Sequence, residues 1–163
     1  MKLLFFSAIS LFLLIIQTSF LKVFLGSSLN LDLTLIMVVY FGLFLNYHSG
    51  IFLSFIAGYL ADILSGTILG AIILIRLLDF VVIYKLKKIV YPKNIISQSF
   101  LVLLLSFIEN SAFSIYFFGL GETLFTYLSA KIMPQALLNS LFAPLVISII
   151  NKAEKSFFHI KEI

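Results

Sequence analysis

Apolar residues run through this chain in six stretches of helical length, and the breaks between them are too short to hold an independent fold. About 20 such residues cross the ~30 Å hydrocarbon core of a bilayer as an α-helix. A helix is the open-ended structure that satisfies its own backbone there. The stretches cover about residues 3–25, 31–47, 50–64, 70–86, 94–118 and 132–150, which uses nearly all 163 residues and leaves nothing for a soluble domain. With 62% hydrophobic and 11% charged residues, the apolar share lies far above that of soluble domains. The chain reads as an all-α integral membrane protein, a single polytopic domain over residues 1–163 with six transmembrane helices. The first stretch follows Lys2 as a signal peptide would, but its apolar run is too long and no small-residue cleavage motif follows.

Charge sets the orientation. Lys85, Lys87, Lys88 and Lys93 cluster around Pro92, and the positive-inside rule places that loop in the cytoplasm. Counting outward puts Lys2 at one terminus and Lys152, Lys155 and Lys161 at the other on the same side, so both termini are predicted cytoplasmic. The net charge of +4 is too sparse and too confined to helix ends for nucleic-acid binding. Cysteine is absent, which removes disulfides, thiol catalysis and Cys-ligated metals. His48, expected in a short cytoplasmic turn, and His159, in the tail, have no ligand spacing to unite them. No phosphate loop, nucleophile elbow or dinucleotide fingerprint occurs. The expectation is a protein without cofactor, metal or enzymatic activity.

The most informative segment is GIFLSFIAGYLADILSGTILG, from Gly50 to Gly70. Ser54, Gly58 and Asp62 form one row at helical spacing and Ala57, Ala61 and Ser65 the next, a face that, with Gly50, admits another helix backbone closely. That face serves either the chain's own neighbours or a partner helix. Ser65, Gly66 and Thr67 make a tight turn into the fourth helix, so the third and fourth are predicted antiparallel neighbours. Asp62 lies about one turn from the outer end. Arg76 enters the fourth helix at comparable depth, with Asp79 three residues on, and Glu109 sits ~22 Å into the fifth. These four ionisable groups are predicted to share one intramembrane layer, as a self-paired network or as a proton or ligand site. An aspartyl-protease pair from Asp62 and Asp79 conflicts with Arg76 lying between them.

Asn30 and Asp32 open the second helix, where they suit a cap. In the sixth, Pro134 belongs at the start and Pro144 inside, where it is expected to kink the helix. Asn139 faces the membrane between them, its amide predicted to bond a neighbouring helix or backbone freed by the proline. Gly119, Gly121 and Glu122 open an outer segment in which Leu124, Phe125, Tyr127 and Leu128 suit the interface.

The order Asn30-Leu31-Asp32-Leu33, the Gly50–Gly70 segment, the basic loop, a glutamate in the fifth helix and MPQALLNSLFAP in the sixth resembles the rod shape-determining protein MreD family. Leu31 and Ser54 stand where that family commonly has proline and often has glycine. The resemblance implies a non-enzymatic inner-membrane scaffold of the cell-elongation machinery. Its implied partners are MreC, through that protein's transmembrane helix, and within a larger complex MreB, RodA and RodA's penicillin-binding transpeptidase. It also implies a fold similar to the substrate-binding subunits of energy-coupling-factor transporters, and such a transporter subunit is the alternative function. Tyr59, Phe55, Tyr116 and Tyr127 would line its pocket. An intramembrane hydrolase is the third reading.

Overall fold

The computed structural model describes residues 2–21, 31–65, 70–92, 94–117 and 132–159. Within them lie six α-helices: α1 (Lys2–Ile15), α2 (Leu33–Phe44), α3 (Tyr47–Ser65), α4 (Ala71–Leu86), α5 (Ile95–Phe117) and α6 (Met133–His159). A π-helical segment, Ile16–Leu21, continues α1. The predicted end of the first span near Leu25, Asn30, the turn at Gly66 and Thr67, Lys93, Lys161, and the outer segment from Gly119 through Leu128 lie outside the described residues.

Four helical stretches are long and apolar enough to cross a membrane: Lys2–Ser19, Tyr47–Ser65, Ile95–Ala112 and Met133–Phe158. The other two helices are shorter. α2 has 12 residues and α4 has 16, which at 1.5 Å per residue gives about 18 and 24 Å against a ~30 Å hydrocarbon core.

α2 has no need of a lipid face. Every residue from Leu33 to Leu43 is buried, as expected of a helix that is apolar all round. α1, α3, α4, α5 and α6 all pack against it. Tyr40, Phe41, Leu35, Ile36 and Met37 are its largest fully buried side chains, and Phe6 of α1 meets both Tyr40 and Phe41 at 5.8 Å between ring centres. Around this central rod, α3 packs most extensively on α4 and α5 on α6.

The small-residue face of α3 is filled by the chain itself. Ser54, Ala57, Gly58 and Ala61 are buried, whereas Ser65 at the helix end is exposed. A Cβ on Gly58 would stand 2.8 Å from the Ile73 Cα of α4, so the two backbones are in contact there. A Cβ on Gly50 would fall 2.3 Å from the Phe80 ring and 3.3 Å from the Phe41 carbonyl oxygen. Ser54 is fully buried, and its hydroxyl has no hydrogen-bond partner among the described residues, so its place here rests on size. Of the two uses open to this face, the structure takes the internal one. A partner helix would find Gly50, Ala57 and Gly58 already covered.

Two helix ends differ from expectation. The second and third helices break at Leu45 and Asn46, not between Tyr47 and Gly50, because the Asn46 carbonyl already accepts from Gly50 N–H at 2.8 Å and starts α3 earlier. His48 therefore occupies the first turn of α3 and is exposed. α6 continues nine residues beyond Ile150, for 27 in all. Its polar end is held by packing. The Tyr40 hydroxyl donates to Glu154 Oε2 at 2.6 Å, Lys2 Nζ lies 3.4 Å from Glu154 Oε1, and Phe5 stacks on Phe157 at 4.9 Å. Pro134 falls in the first turn of α6, where its missing N–H costs nothing, and Pro144 lies inside the helix.

Candidate functional site

The first N–H groups of a helix have no partner within it. For α2 they point into a protein interior, and three other segments of the chain converge to satisfy them and their cap. Asp32 is the N-cap, and its Oδ1 accepts from Leu35 N–H at 2.9 Å and from the Thr34 hydroxyl at 2.6 Å. Asp32 N–H donates to Asn139 Oδ1 of α6 at 2.9 Å. Leu33 N–H donates to Gln17 Oε1 at 2.9 Å, and Gln17 is placed there by the π-helical end of α1. Asn139 is fully buried and turned away from lipid, because its two amide atoms serve two helices: Nδ2 donates to Ser106 Oγ of α5 at 2.8 Å.

The second oxygen of Asp32 accepts from Arg76 Nη2 of α4. Arg76 is 4% exposed and is the centre of the site. Its Nη1 donates to Asp79 Oδ2 at 3.1 Å and to Glu109 Oε1 of α5. One planar guanidinium thus ties α2, α4 and α5 together through three carboxylates, a task suited to Arg and not to the single point of a Lys. Arg76 is the one cation that all three acidic side chains contact, and its charge offsets part of the cost of burying them.

Asp62 stands apart from this group. Its carboxylate accepts from Gly70 N–H at 3.0 Å and from Ile72 and Ile73 N–H at 3.2 Å each, capping α4 from the end of α3. Gly70 enters α4 at φ +93°, a conformation that glycine adopts without strain. A carboxylate at a helix N-terminus meets both the unpaired donors and the positive end of the dipole. We expect Asp62→Ala to lower stability by about 2 kcal/mol, read as a lower melting temperature in detergent, because three N–H groups at the start of α4 lose their acceptor. An unchanged melting temperature would refute that role.

Of the four charged groups that sequence depth aligns, Arg76, Asp79 and Glu109 are brought together, and Asp62 is not. Its place is taken by Asp32, which the sequence marks as a cap and which caps as well as pairs. Gln17 and Ser106 were not singled out. Gly42 was also missed: a Cβ there would lie 2.7 Å from Ile83 Cγ2, which makes it a close approach between α2 and α4.

Chemically, the arrangement binds the bundle to itself. Asp62 faces backbone N–H groups while Asp79 faces a guanidinium, so the two do not form the facing pair that shares a proton in an aspartyl protease. Among the described residues, no three His, Cys, Asp or Glu side chains are gathered as a metal ion requires.

Comparison with known proteins agrees with a structural reading. Neither the curated proteins nor the solved structures searched return a match. The family described as rod shape-determining protein MreD matches residues 1–153 of the 163, a span that holds every member of the polar layer and all but the last turns of α6. The chain belongs to the MreD family of bacterial membrane proteins, which act in rod shape determination.

Proposed function

We propose that this protein is a non-enzymatic scaffold of the cell-elongation machinery in the inner membrane. It binds the transmembrane helix of MreC and helps couple cytoplasmic MreB filaments to peptidoglycan synthesis by RodA and its penicillin-binding transpeptidase. In this reading all six helices cross or enter the bilayer with both termini in the cytoplasm. The bundle is akin to the substrate-binding subunits of energy-coupling-factor transporters. Membership of the MreD family is one support. The observation that carries the reading is the mutual bonding of the polar layer: Asp32, Arg76, Asp79, Glu109 and Asn139 take one another as partners across four helices, as a rigid hub needs.

The internal use of the α3 small-residue face changes where a partner helix would sit. MreC would meet the outer, lipid-facing side of the bundle. That side carries rows such as Leu137, Leu141, Leu145 and Ile149 on α6, all more than half exposed.

Purification of the tagged full chain from its native membrane in mild detergent, with mass spectrometry of what accompanies it, tests the proposal. MreC and the elongation synthases are expected. Recovery of an ATPase pair with a coupling subunit would replace the scaffold by a transporter subunit.

A further inference from the structure

At the opposite end of α4 from the polar layer, Tyr47 of α3 and Val81, Tyr84, Lys85 and Lys88 around the end of α4 line a cavity of about 340 Å³. The aromatic wall is fixed: Tyr47 meets Tyr84 edge-on at 5.2 Å and Phe80 at 5.8 Å. Three lysines lie here, and they divide by partner. Lys87 is engaged, with Nζ donating to the Leu45 carbonyl at 3.1 Å and lying 3.9 Å from the centre of the Tyr84 ring. Lys85 and Lys88 are exposed and have no hydrogen bond or ion pair among the described residues. Three residues apart, they are neighbours at the end of the helix. Val82 and Leu78 on α4 and Ile89 and Tyr91 just beyond it are exposed apolar side chains at the same edge.

A cavity with two unpaired ammonium groups, two phenol hydroxyls and an apolar rim open to the bilayer has the make-up of a headgroup site. Tyrosine rings settle at headgroup depth, and basic pockets at helix ends take anionic lipid headgroups. We propose that this cavity binds the phosphodiester headgroup of an anionic phospholipid. Lys85 and Lys88 face the phosphate, Tyr47 and Tyr84 its polar substituent, and the acyl chains lie along the exposed apolar side of α4. The fixed geometry of Lys87 leaves it a structural part, holding the end of α4 to the break between α2 and α3.

The test is native mass spectrometry of the full chain released from micelles containing equal phosphatidylglycerol and phosphatidylcholine. The wild type is expected to retain phosphatidylglycerol in preference. Lys85→Gln with Lys88→Gln should reduce that retention about 30-fold, at the strength typical of two basic side chains near an anionic surface. Both side chains are exposed, so the melting temperature should not change. Val81→Phe, which fills the cavity and keeps the charge, should also reduce retention. The comparison pair Lys152→Gln with Lys155→Gln, on α6, should leave retention unchanged. Equal retention of both lipids by the wild type would overturn the proposal. So would an equal loss in the α6 pair, which would mark diffuse surface attraction, or full retention by Val81→Phe.

Discussion

Arg76→Leu is expected to lose about 3–5 kcal/mol, the usual penalty for removing one partner of a buried ionic cluster. The reason is the uneven count around it. Asp32, Asp79 and Glu109 all lean on one guanidinium, and without it three acidic side chains lose the cation they share. The measurement is thermal unfolding in detergent, followed by circular dichroism. Arg76→Lys should recover only part of the loss, since one ammonium cannot meet three carboxylates from two nitrogen positions. Adding Asp79→Asn and Glu109→Gln to Arg76→Leu should restore stability beyond the sum of the separate effects, the signature of groups that act on each other directly. A melting curve for Arg76→Leu that overlays the wild type would dismiss the network as a stabilising element.

Gly58→Leu is expected to be about as damaging, by about 3 kcal/mol or more, through overpacking. The obstacle is backbone: the added Cβ alone would meet Ile73 Cα at 2.8 Å, so α3 and α4 must separate before any of the remaining side chain is placed. Gly42→Ala makes the informative contrast. Its new methyl meets Ile83 Cγ2 at 2.7 Å and Ile83 Cβ at 2.9 Å, and turning the side chain moves Cγ2 but not Cβ, so α2 and α4 must part slightly, by less than Gly58→Leu demands of α3 and α4, and the loss should be smaller than for Gly58→Leu. Wild-type stability of Gly58→Ala would show that the α3–α4 contact is looser than described. The same geometry means that Gly58→Leu cannot serve as a probe of partner binding, because it would unfold the hub before it blocked a docking face.

What the sequence makes legible here follows from the range of each interaction. The helices are visible because an apolar run of that length has one low-energy form in a bilayer. The closeness of α3 to something was visible in Gly58 and Ala61, but small residues do not say which helix they admit. Depth counting aligns Arg76 with Asp79 and Glu109, since a rise of 1.5 Å per residue carries a long way along a straight helix, and Arg76 pairs with both. It misplaced Asp62 because depth is blind to rotation and to what the next turn offers. The amide groups at Gly70, Ile72 and Ile73 stand only 8 to 11 residues further on and reach Asp62 within 3.2 Å. Asp32 was legible as a cap from its position alone. Its second oxygen was not, because Arg76 lies 44 residues away and on another helix. The end of α6 was read too early, because Lys152 and Lys155 signal the exit from lipid and carry no signal to stop a helix. Tyr40 and Glu154, 114 residues apart, hold it beyond that point.

The central position of α2 bears on how the chain is made. Synthesis delivers helices in order, so Asp32 and Arg76 leave the ribosome before Glu109, Ser106 and Asn139. During that interval the Asp32 N–H lacks its amide acceptor and Arg76 lacks one of its carboxylates. The first four helices are therefore an incomplete layer that must be held by water, by the insertion machinery or by each other until α5 and α6 arrive. The last helix to emerge carries the residue that closes the start of the second. Assembly ends where burial began, and a chain halted after α4 would be recognisable to quality control by the polar groups it still leaves open.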